Sequence, residues 1–379
     1  MARVLIGGDI CPIGDNTPFF ERGDAESLFH DLLDEFRNAD LVLANLECPL
    51  IEHPTPIAKT GPVFGESVDC IKAIRAAGIH VLCLANNHIL DHGAAGLAST
   101  IAACDEAGIA TVGAGADVAS ARRIVVQVAT DGMRIGILAM AEREFSVATT
   151  ATAGANPLDL IDYVRNVQAN RGSIDYLIVL LHGGAEFLQA PSPRLQEACR
   201  FLIETGANAV VVQHPHSFGG YEHYRGGHIV YGQGALVMDE PIYRDRRSFH
   251  EGVLVALSID AGGSSSMELI PFEQSDPVPG ARKMEAHPAA VLLETLATKA
   301  RQVLDPDYVA LEWRRFCEEH KHQYLSVLLA HNRIVRRANR KGHFSGWLYR
   351  GRRLLGTRNV VSCETHREAV ETIFRERLV

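Results

Sequence analysis

Five short polar clusters, each directly after a strand-like apolar run, contain the residues of this chain best suited to chemistry. In chain order they are Gly8-Asp9, Asn45-Leu46-Glu47, Asn86-Asn87-His88, His182-Gly183-Gly184-Ala185-Glu186 and His214-Pro215-His216. Their carboxylate, amide and imidazole groups are ligands for divalent metals. Because α/β folds gather their sites at the carboxyl ends of parallel strands, clusters that share this position are expected to form one metal site.

The apolar runs upstream of these clusters predict the strands that position them. These Val/Ile/Leu-rich runs suit strands covered on both faces, and they are Arg3–Gly7, Leu41–Ala44, Val81–Ala85, Leu177–Leu181 and Ala209–Val212. Helical patterns lie between the first strands and further along the chain, at Ala25–Arg37, Val68–Ala77, Ala94–Ala107, Pro157–Gln168 and Pro193–Glu204. This alternation predicts an α/β fold.

The character of the chain changes after residue 281. Residues 1–281 are expected to form the catalytic domain, and residues 282–379 a mainly helical extension with helices at Pro288–Val303, Asp307–Arg340 and Glu364–Leu378. The extension is basic, although the formal net charge of the chain is −9. It is interpreted either as a tail packed on the acidic body or on a second subunit, or as a docking surface for an anionic partner.

The motifs in this order resemble the CapA family, which is named for poly-γ-glutamate capsule synthesis and is related to calcineurin-like metallophosphoesterases. The resemblance covers roughly the first two-thirds of the chain and lies in GGD, ANLE, LANNHILDHG, LHGGAEF, QHPHSFGGYE and IVYGQG. It implies an α/β fold of the calcineurin-like metallophosphatase type, a sandwich of two sheets flanked by helices. The reaction stays open, because one fold hosts many chemistries.

The resemblance also implies a ligand set for one or two divalent ions, with Mn, Zn, Fe, Mg and Ca not distinguished. Six residues match the family's ligand positions: Asp9, Glu47, Asn87, His182, His214 and His216. Asp9 and His216 would hold one ion, and the other three non-bridging residues would hold the second. Glu47 would bridge the two ions at the roughly 3.5–4 Å separation of two-metal sites.

His88 falls where the wider phosphoesterase group places its acid/base histidine. Asp91, three residues later, is expected to orient the His88 imidazole and fix its tautomer. The pattern departs from the group at Cys11, where the first block normally has a histidine. Cys11 is a candidate ligand or acid/base group, and burial as a structural thiol is the alternative.

Three residues are candidates for substrate binding, namely Glu186, Glu222 and Lys59. Lys59 lies where it could meet a substrate carboxylate or phosphate. A solvated loop position is the alternative interpretation for each of the three. His250 would reach the mouth of the cleft only if the loop Asp239–Arg247 folds back.

Composition and motifs narrow the class of protein. The chain is 47% hydrophobic and 22% charged, which is ordinary for a globular protein. It has no run long enough to cross a membrane, and MARVLIGGD leads into the first strand without a signal-like segment, so a cytoplasmic location is expected. The eight cysteines form no CxxC pair, which favours reduced thiols. No recognised nucleic-acid-reading motif accompanies the basic charge, so a nucleic-acid partner is not expected.

Three functions are compatible with these motifs and this composition. The first is metal-dependent hydrolysis of a γ-glutamyl amide or a phosphoester, and the second is acid/base epimerisation at a Cα. The third is a non-catalytic role in poly-γ-glutamate assembly. The second function is included because peptide epimerases that act on lasso-type ribosomal precursors have been placed in the same CapA-like family. The departure at Cys11 and a basic extension suited to an acidic leader peptide favour epimerisation of the C-terminal residue of a precursor peptide.

Overall fold

The computed structural model describes residues 1–59, 61–329, 333–348 and 350. The chain divides into two compact units, of which the first covers Met1–Ala310 and the second begins at Leu311. All strands of the described residues belong to the first unit. They are β1 (Ala2–Ile10), β2 (Leu41–Leu46), β3 (Leu50–Ile51), β4 (Glu66–Ser67), β5 (Val81–Cys83), β6 (Ala110–Val112), β7 (Ala114–Gly115), β8 (Val125–Val128), β9 (Arg134–Ala141), β10 (Gly154–Ala155), β11 (Tyr176–His182), β12 (Ala209–Gln213), β13 (Tyr221–Tyr224), β14 (Gly227–Tyr231), β15 (Ala235–Val237), β16 (Glu251–Ile259), β17 (Ser265–Gln274) and β18 (Ala281–Lys283).

The helices of the described residues flank these strands or follow them. They are α1 (Thr17–Arg22), α2 (Ala25–Phe29), α3 (Leu32–Arg37), α4 (Ile71–Ala76), α5 (Gly93–Ala107), α6 (Val118–Ala121), α7 (Leu160–Asn170), α8 (Pro193–Glu204), α9 (Arg247–His250), α10 (Ala286–Gln302), α11 (Pro306–Leu329), α12 (Arg333–Asn339) and α13 (Ser345–Leu348). Within the described part of the chain, none of them combines the length and the apolar content needed to cross a bilayer.

Two sheets carry the strands that precede the polar clusters. The first sheet has the order β18-β17-β16-β1-β2-β5-β6, with β15 beside β1, and its β1, β2, β5 and β6 are parallel. The second has the order β13-β14-β12-β11-β9-β8, with a parallel centre and antiparallel edges. The α/β sandwich of two sheets flanked by helices that the sequence predicted is confirmed.

The apolar core follows from the alternation of side chains along the buried strands. In β11, Ile178 and Leu180 belong to the large core cluster that includes β1 and β2 of the first sheet. Val179 and Leu181 point to the opposite face and pack with residues of α7 and α8. Because both faces of β11 are covered, its sequence is a continuous apolar run, and the end of the strand is held rigidly.

One predicted helix is interrupted. The pattern Ala25–Arg37 forms two helices, α2 and α3, because His30 between them has a positive φ of 41°. The Nε2 atom of His30 lies 3.2 Å from the carbonyl oxygen of Pro279. This contact joins residues far apart in the sequence, so the helical pattern alone did not reveal the break.

The first compact unit continues past the boundary expected after residue 281. Helix α10 contacts β13 and β17 and therefore belongs to the first unit, which ends at Ala310. In the basic stretch, Arg352, Arg353 and Arg358 lie outside the described residues, as does the helix predicted at Glu364–Leu378. The docking role suggested for this stretch stays a prediction.

The approach of β1 to the segment before β15 requires glycine at position 8, next to Asp9. A Cβ atom at Gly8 would lie 2.0 Å from the carbonyl oxygen of Gly234. We therefore expect Gly8→Ala to lower the free energy of unfolding by about 1–3 kcal/mol, the usual cost of overpacking. Urea unfolding monitored by circular dichroism measures this change.

Gly172→Ala is the matched control, because a Cβ atom at Gly172 would meet nothing within 4 Å. Its free energy of unfolding should stay within about 0.5 kcal/mol of the unmodified protein. Equal stability of the two variants would show that β1 can move away from Gly234 without cost.

Candidate metal centre

The polar clusters of both sheets converge on one buried site. The first sheet contributes Asp9 at the end of β1 and Glu47 directly after β2, and the second contributes His182 at the end of β11. Three overlapping groups have all their ligand atoms within 4.8 Å of one another: Glu47 with His182 and His214, Glu186 with His214 and His216, and Asp9 with Glu47 and His216. The strand ends of both sheets therefore bring the candidate ligands close together.

Glu47 lies at the centre of this convergence. Its Oε1 atom is 3.2 Å from Nε2 of His182 and 3.9 Å from Nδ1 of His214. Asn87 contacts the same His182 nitrogen, with its Oδ1 atom at 3.0 Å. The Oδ2 atom of Asp9 lies 3.4 Å from Nδ1 of His216. All six residues assigned to metal binding from the sequence thus lie around one point.

The electrostatics of the cluster favour ionised carboxylates. Burial by itself would raise the pKa of Glu47, but the His182 and His216 imidazoles lower it well below its usual value. Burial would likewise lower the pKa of His214, yet the Glu47 carboxylate raises it to about 9. Carboxylate and imidazole groups in such contact are a suitable ligand set for a divalent cation, which binds the deprotonated ligands.

Three buried atoms test whether a metal fits the site. Oε2 of Glu47, Nδ1 of His214 and Nδ1 of His216 have no hydrogen-bond partner among the described residues. Buried polar atoms are normally hydrogen-bonded, because an unpaired one costs its full desolvation energy. When deprotonated, all three atoms offer lone pairs and belong to groups that metals bind, so the residues fit a divalent ion.

The backbone of the histidine loop after β12 is held in an uncommon conformation. His214 has a φ of 95° and His216 a φ of 50°, in the left-handed region that non-glycine residues rarely adopt. The backbone N–H of His214 donates to Oδ2 of Asp9 over 3.2 Å. Conformations of this kind persist where surrounding contacts enforce them, and they cluster at functional sites.

Two asparagines that were not assigned a role from the sequence form the support beneath the ligands. Asn45 Nδ2 donates to Oδ1 of Asp9 over 2.7 Å, and Asn86 Nδ2 donates to Oδ1 of Asn45 over 3.1 Å. Both are fully buried. The sequence could have indicated both asparagines, because each belongs to a polar cluster that contains a candidate ligand. Their chain of hydrogen bonds orients the Asp9 carboxylate.

The comparisons with known proteins identify the family of this chain. The family model described as bacterial capsule synthesis protein PGA_cap matches residues 3–240. The chain belongs to this family. It is 29% identical over 283 residues to the capsule biosynthesis protein CapA of Bacillus anthracis, covering 72% of this chain and 68% of that protein. It is 25% identical over 270 residues to the PGA biosynthesis protein CapA of Bacillus subtilis, covering 70% of each chain.

Among solved structures, a 5′-nucleotidase from Candida albicans aligns with a TM-score of 0.42 and 10% sequence identity, covering 84% of this chain and 58% of that chain. That similarity is too low to bear on function. The CapA resemblance predicted from the motifs is confirmed by the family match and by the two Bacillus relatives.

In this PGA_cap protein, His88 stands beside the metal cluster with its own hydrogen-bond partner. Its Nδ1 atom lies 2.7 Å from Oδ2 of Asp91, as the spacing of the two residues predicted. The ring of Phe64 packs on the imidazole at a centroid distance of 4.5 Å. Asn87, which directly precedes His88 in the chain, contacts His182. Asp91 and Phe64 fix the orientation of the imidazole.

The side chain of Lys59, a candidate for substrate binding with a solvated loop position as the alternative, lies in a buried environment. Its side chain is 3% exposed, and its ammonium group donates to Oδ1 of Asp91 over 2.6 Å. It also lies 3.3 Å from Nδ1 of His88. A buried carboxylate already neutralises this ammonium group. Substrate binding by Lys59 is therefore corrected to a buried ion pair that supports the His88–Asp91 contact.

Cys11 is part of the core. It has no exposed surface and packs with Ile13, Cys48 and Phe249 in a small apolar cluster. Burial, together with a hydrogen bond to Cys48, raises the pKa of the Cys11 thiol well above its usual value. A thiol in these surroundings stays protonated, so the catalytic assignment of Cys11 is corrected in favour of the structural alternative.

The two glutamates proposed for substrate binding separate in space. Glu222 is buried and pairs with Arg200 of α8, whose two N–H groups donate to it over 3.0 and 2.7 Å. The hydroxyl of Tyr231 donates to it as well. Glu222 therefore ties a strand to a helix, and its substrate assignment is corrected. Glu186 instead is exposed and lies against His214 and His216.

The loop after β15 folds back toward the site. The hydroxyl of Tyr243 donates to Oε2 of Glu186 over 2.8 Å, and its ring lies 4.7 Å from that of Phe187. His250 is buried and bonds the loop through the carbonyl oxygen of Arg244 at 2.9 Å. The sequence left this folding back open. Tyr243 was missed because it lies outside the motifs, and Phe187, although it ends the LHGGAEF motif, was missed because an aromatic side chain is not a metal ligand.

Metal content provides a test of the ligand set. His182→Ala removes the imidazole that touches both Glu47 and Asn87, so we expect it to weaken metal binding by at least about tenfold. Inductively coupled plasma mass spectrometry after dialysis measures bound metal, and chelation followed by metal addition gives the reference range for the unmodified protein.

His223→Ala serves as the matched control, because His223 is an exposed histidine of β13 and belongs to none of the three ligand groups. It should retain its metal. If His182→Ala retains metal to the same extent as His223→Ala, then His182 is not a ligand.

Proposed function

We propose that this protein is a metal-dependent acid/base enzyme that acts on a peptide-type substrate. The observation that supports this most directly is His88, held by Asp91 at 2.7 Å and preceded by Asn87 at the metal cluster. A ligand set alone would fit a structural metal. A neighbouring imidazole with a fixed carboxylate partner fits proton transfer to a group held at the metal.

In this proposal the metal-binding residues and the His88 group have different roles in proton transfer. A bound divalent ion would polarise an oxygen atom of the substrate and stabilise the negative charge that develops there. Asp91 holds the Nδ1 side of His88, so Nε2 is the nitrogen that exchanges a proton. Lys59 neutralises Asp91, and Phe64 covers one face of the imidazole and shields it from water.

Epimerisation at a Cα carbon is the reaction we place first. It needs a polarised carbonyl or carboxylate and groups that remove and return a proton, but no leaving group. The buried Cys11 supports this choice, because the imidazole that two-metal phosphoesterases carry at that position is missing. The substrate we favour is the C-terminal residue of a ribosomal lasso-type precursor peptide.

Hydrolysis of a γ-glutamyl amide is the second candidate. The relatives from Bacillus are named for capsule and PGA biosynthesis, which favours a γ-glutamyl chain as the substrate. The same ligand set would serve hydrolysis by activating water. Phosphoester hydrolysis and a non-catalytic role in polymer assembly are the remaining alternatives.

Deuterium incorporation separates these functions. We expect the metal-loaded protein, incubated in deuterated water with peptides and γ-glutamyl oligomers, to add a single deuteron to a peptide without cleaving it. Exchange is expected because proton removal from Cα is followed by return of a solvent proton. Mass spectrometry of the recovered substrates measures exchange and cleavage together.

The chelated protein is the control and should give neither product. Cleavage products without exchange would assign the protein to the hydrolases. Neither exchange nor cleavage with any probe would leave the non-catalytic role in polymer assembly.

His88→Ala tests the acid/base assignment. We expect it to lower the rate of exchange about a hundred- to ten-thousand-fold, the usual contribution of a general acid–base group, with metal content unchanged. Added imidazole should restore part of the rate, because it can occupy the space of the missing ring. A variant that instead loses its metal would make His88 a ligand.

A further inference from the structure

We propose that Arg246 binds a carboxylate group of the substrate at the mouth of the metal centre. The proposal rests on the proposed function, since it names the group by which a peptide-type substrate is held. Arg246 belongs to the mouth loop, which we define as Asp239–His250. Three features support this role: the fixed position of the loop, the aromatic ring beneath Arg246 and the distribution of carboxylates around it.

The mouth loop is held by buried contacts at both ends. The guanidinium of Arg244 binds both oxygens of the buried Asp239, at 2.7 and 2.5 Å. The His250 imidazole reaches the carbonyl oxygen of Arg244 at 2.9 Å and that of Gln274 at 2.9 Å. The backbone N–H of Arg246 donates to the carbonyl oxygen of Tyr243 over 2.8 Å. These contacts fix where the Arg246 side chain begins.

The side chain of Arg246 lies over an aromatic ring next to a metal ligand. Its Cζ atom is 4.3 Å from the centre of the Phe187 ring, and that ring is 6.2 Å from the ring of His216. Phe187 is itself held at a positive φ of 59°, and its backbone N–H donates to the carbonyl oxygen of Pro215 over 2.8 Å. A single ring thus separates the guanidinium from the metal cluster.

Two of the three arginines of the mouth loop form ion pairs with carboxylates, and Arg246 does not among the described residues. Arg244 binds Asp239, and Arg247 binds Glu251 at 2.7 Å. No carboxylate of the described residues lies within ion-pair distance of Arg246. A guanidinium stacked on a ring keeps its N–H edge free, and that edge matches the two oxygens of a carboxylate.

Lys59 and Arg246 differ in how a substrate could reach them. Lys59, which the sequence suggested for this role, is neutralised by Asp91 and is buried. Arg246 is exposed, so a substrate can reach it. Two sources of carboxylate have the required chemistry: the free C-terminus of an α-linked peptide and the α-carboxylate of a γ-glutamyl residue. In both cases the carboxylate would hold the chain while another group of the substrate meets the metal.

Binding of matched probes to the metal-loaded protein tests the proposal. One pair is an acetylated tripeptide with a free C-terminus and its C-terminal amide, and the other is a γ-glutamyl trimer and its α-amidated counterpart. We expect the acid form of at least one pair to bind at least about tenfold more tightly than its amide, because a bidentate charged contact is lost in the amide. Isothermal titration calorimetry measures each affinity.

Variants of two neighbouring arginines provide the matched comparison. Arg246→Gln should reduce the affinity for the acid form to that of the amide, leaving the affinity for the amide and the metal content unchanged. Arg247→Gln removes the same charge from the adjacent position and should leave both affinities unchanged, because Arg247 already binds Glu251. Arg246→Lys should keep part of the preference for the acid form, since it retains the charge but not the planar fork.

Several results would overturn the proposal: equal binding of acid and amide in both pairs, an unchanged preference in Arg246→Gln, an equal loss in Arg247→Gln, or loss of metal from both Arg246 variants. The pair that shows the preference identifies the source of the carboxylate. Because binding is measured without turnover, this result is independent of deuterium exchange. Arg246 could bind a carboxylate even if the protein does not catalyse deuterium exchange, and the protein could catalyse exchange even if Arg246 does not bind a carboxylate.

Discussion

The burial of the Glu47 carboxylate between two sheets is the constraint on which the site depends. Glu47 follows a strand of the first sheet, whereas the His182 and His214 imidazoles beside it come from the second. An isolated carboxylate is very costly to bury, so the sandwich must bring positive or metal-binding groups to this point. The ends of both sheets are therefore fixed relative to each other by the chemistry of the site as well as by the apolar core.

The hydrogen bonds around the ligands give this arrangement its geometry. Asn45 bonds Asp9, and Asn86 bonds Asn45, so one buried chain of amides connects strand ends of the first sheet. The unusual backbone at His214 connects the histidine loop of the second sheet to the same Asp9. Metal ligands in proteins commonly depend on such outer contacts for their orientation. In this PGA_cap protein they are almost entirely buried, which favours a rigid site.

Two flanks of the site differ in character. On one flank, His88, Asp91 and Lys59 form a buried set in which every charged group is paired. On the other, Glu186, Phe187 and the mouth loop form an exposed edge with a guanidinium that lacks a carboxylate partner among the described residues. A closed flank suits control of proton transfer and an open flank suits contact with an incoming substrate. This asymmetry is the reason why we propose proton transfer on the first flank and substrate binding on the second.

The sequence by itself determined the fold class and which polar residues meet at the strand ends, because both depend on local order. Apolar runs define buried strands, and residues directly after parallel strands meet at one edge whatever the rest of the chain does. The contact between Asp91 and His88 could be predicted for the same reason, because the two residues are only three positions apart. Only the tertiary structure decided the roles of Lys59, Cys11 and Glu222. Each lies in a segment whose side-chain direction is set by a distant partner.

The same reason explains the remaining differences. The break at His30 and the extension of the first unit to Ala310 both follow from contacts between segments far apart in the sequence. Arg246 stood among similar arginines, and no local pattern distinguishes it from Arg247. The folding of the mouth loop onto Phe187 makes the distinction, because packing and ion pairing depend on which surfaces meet. The order of strands and polar clusters along the chain therefore placed the candidate ligands. Contacts between distant segments decided which charged side chains are already paired and which can still bind a substrate.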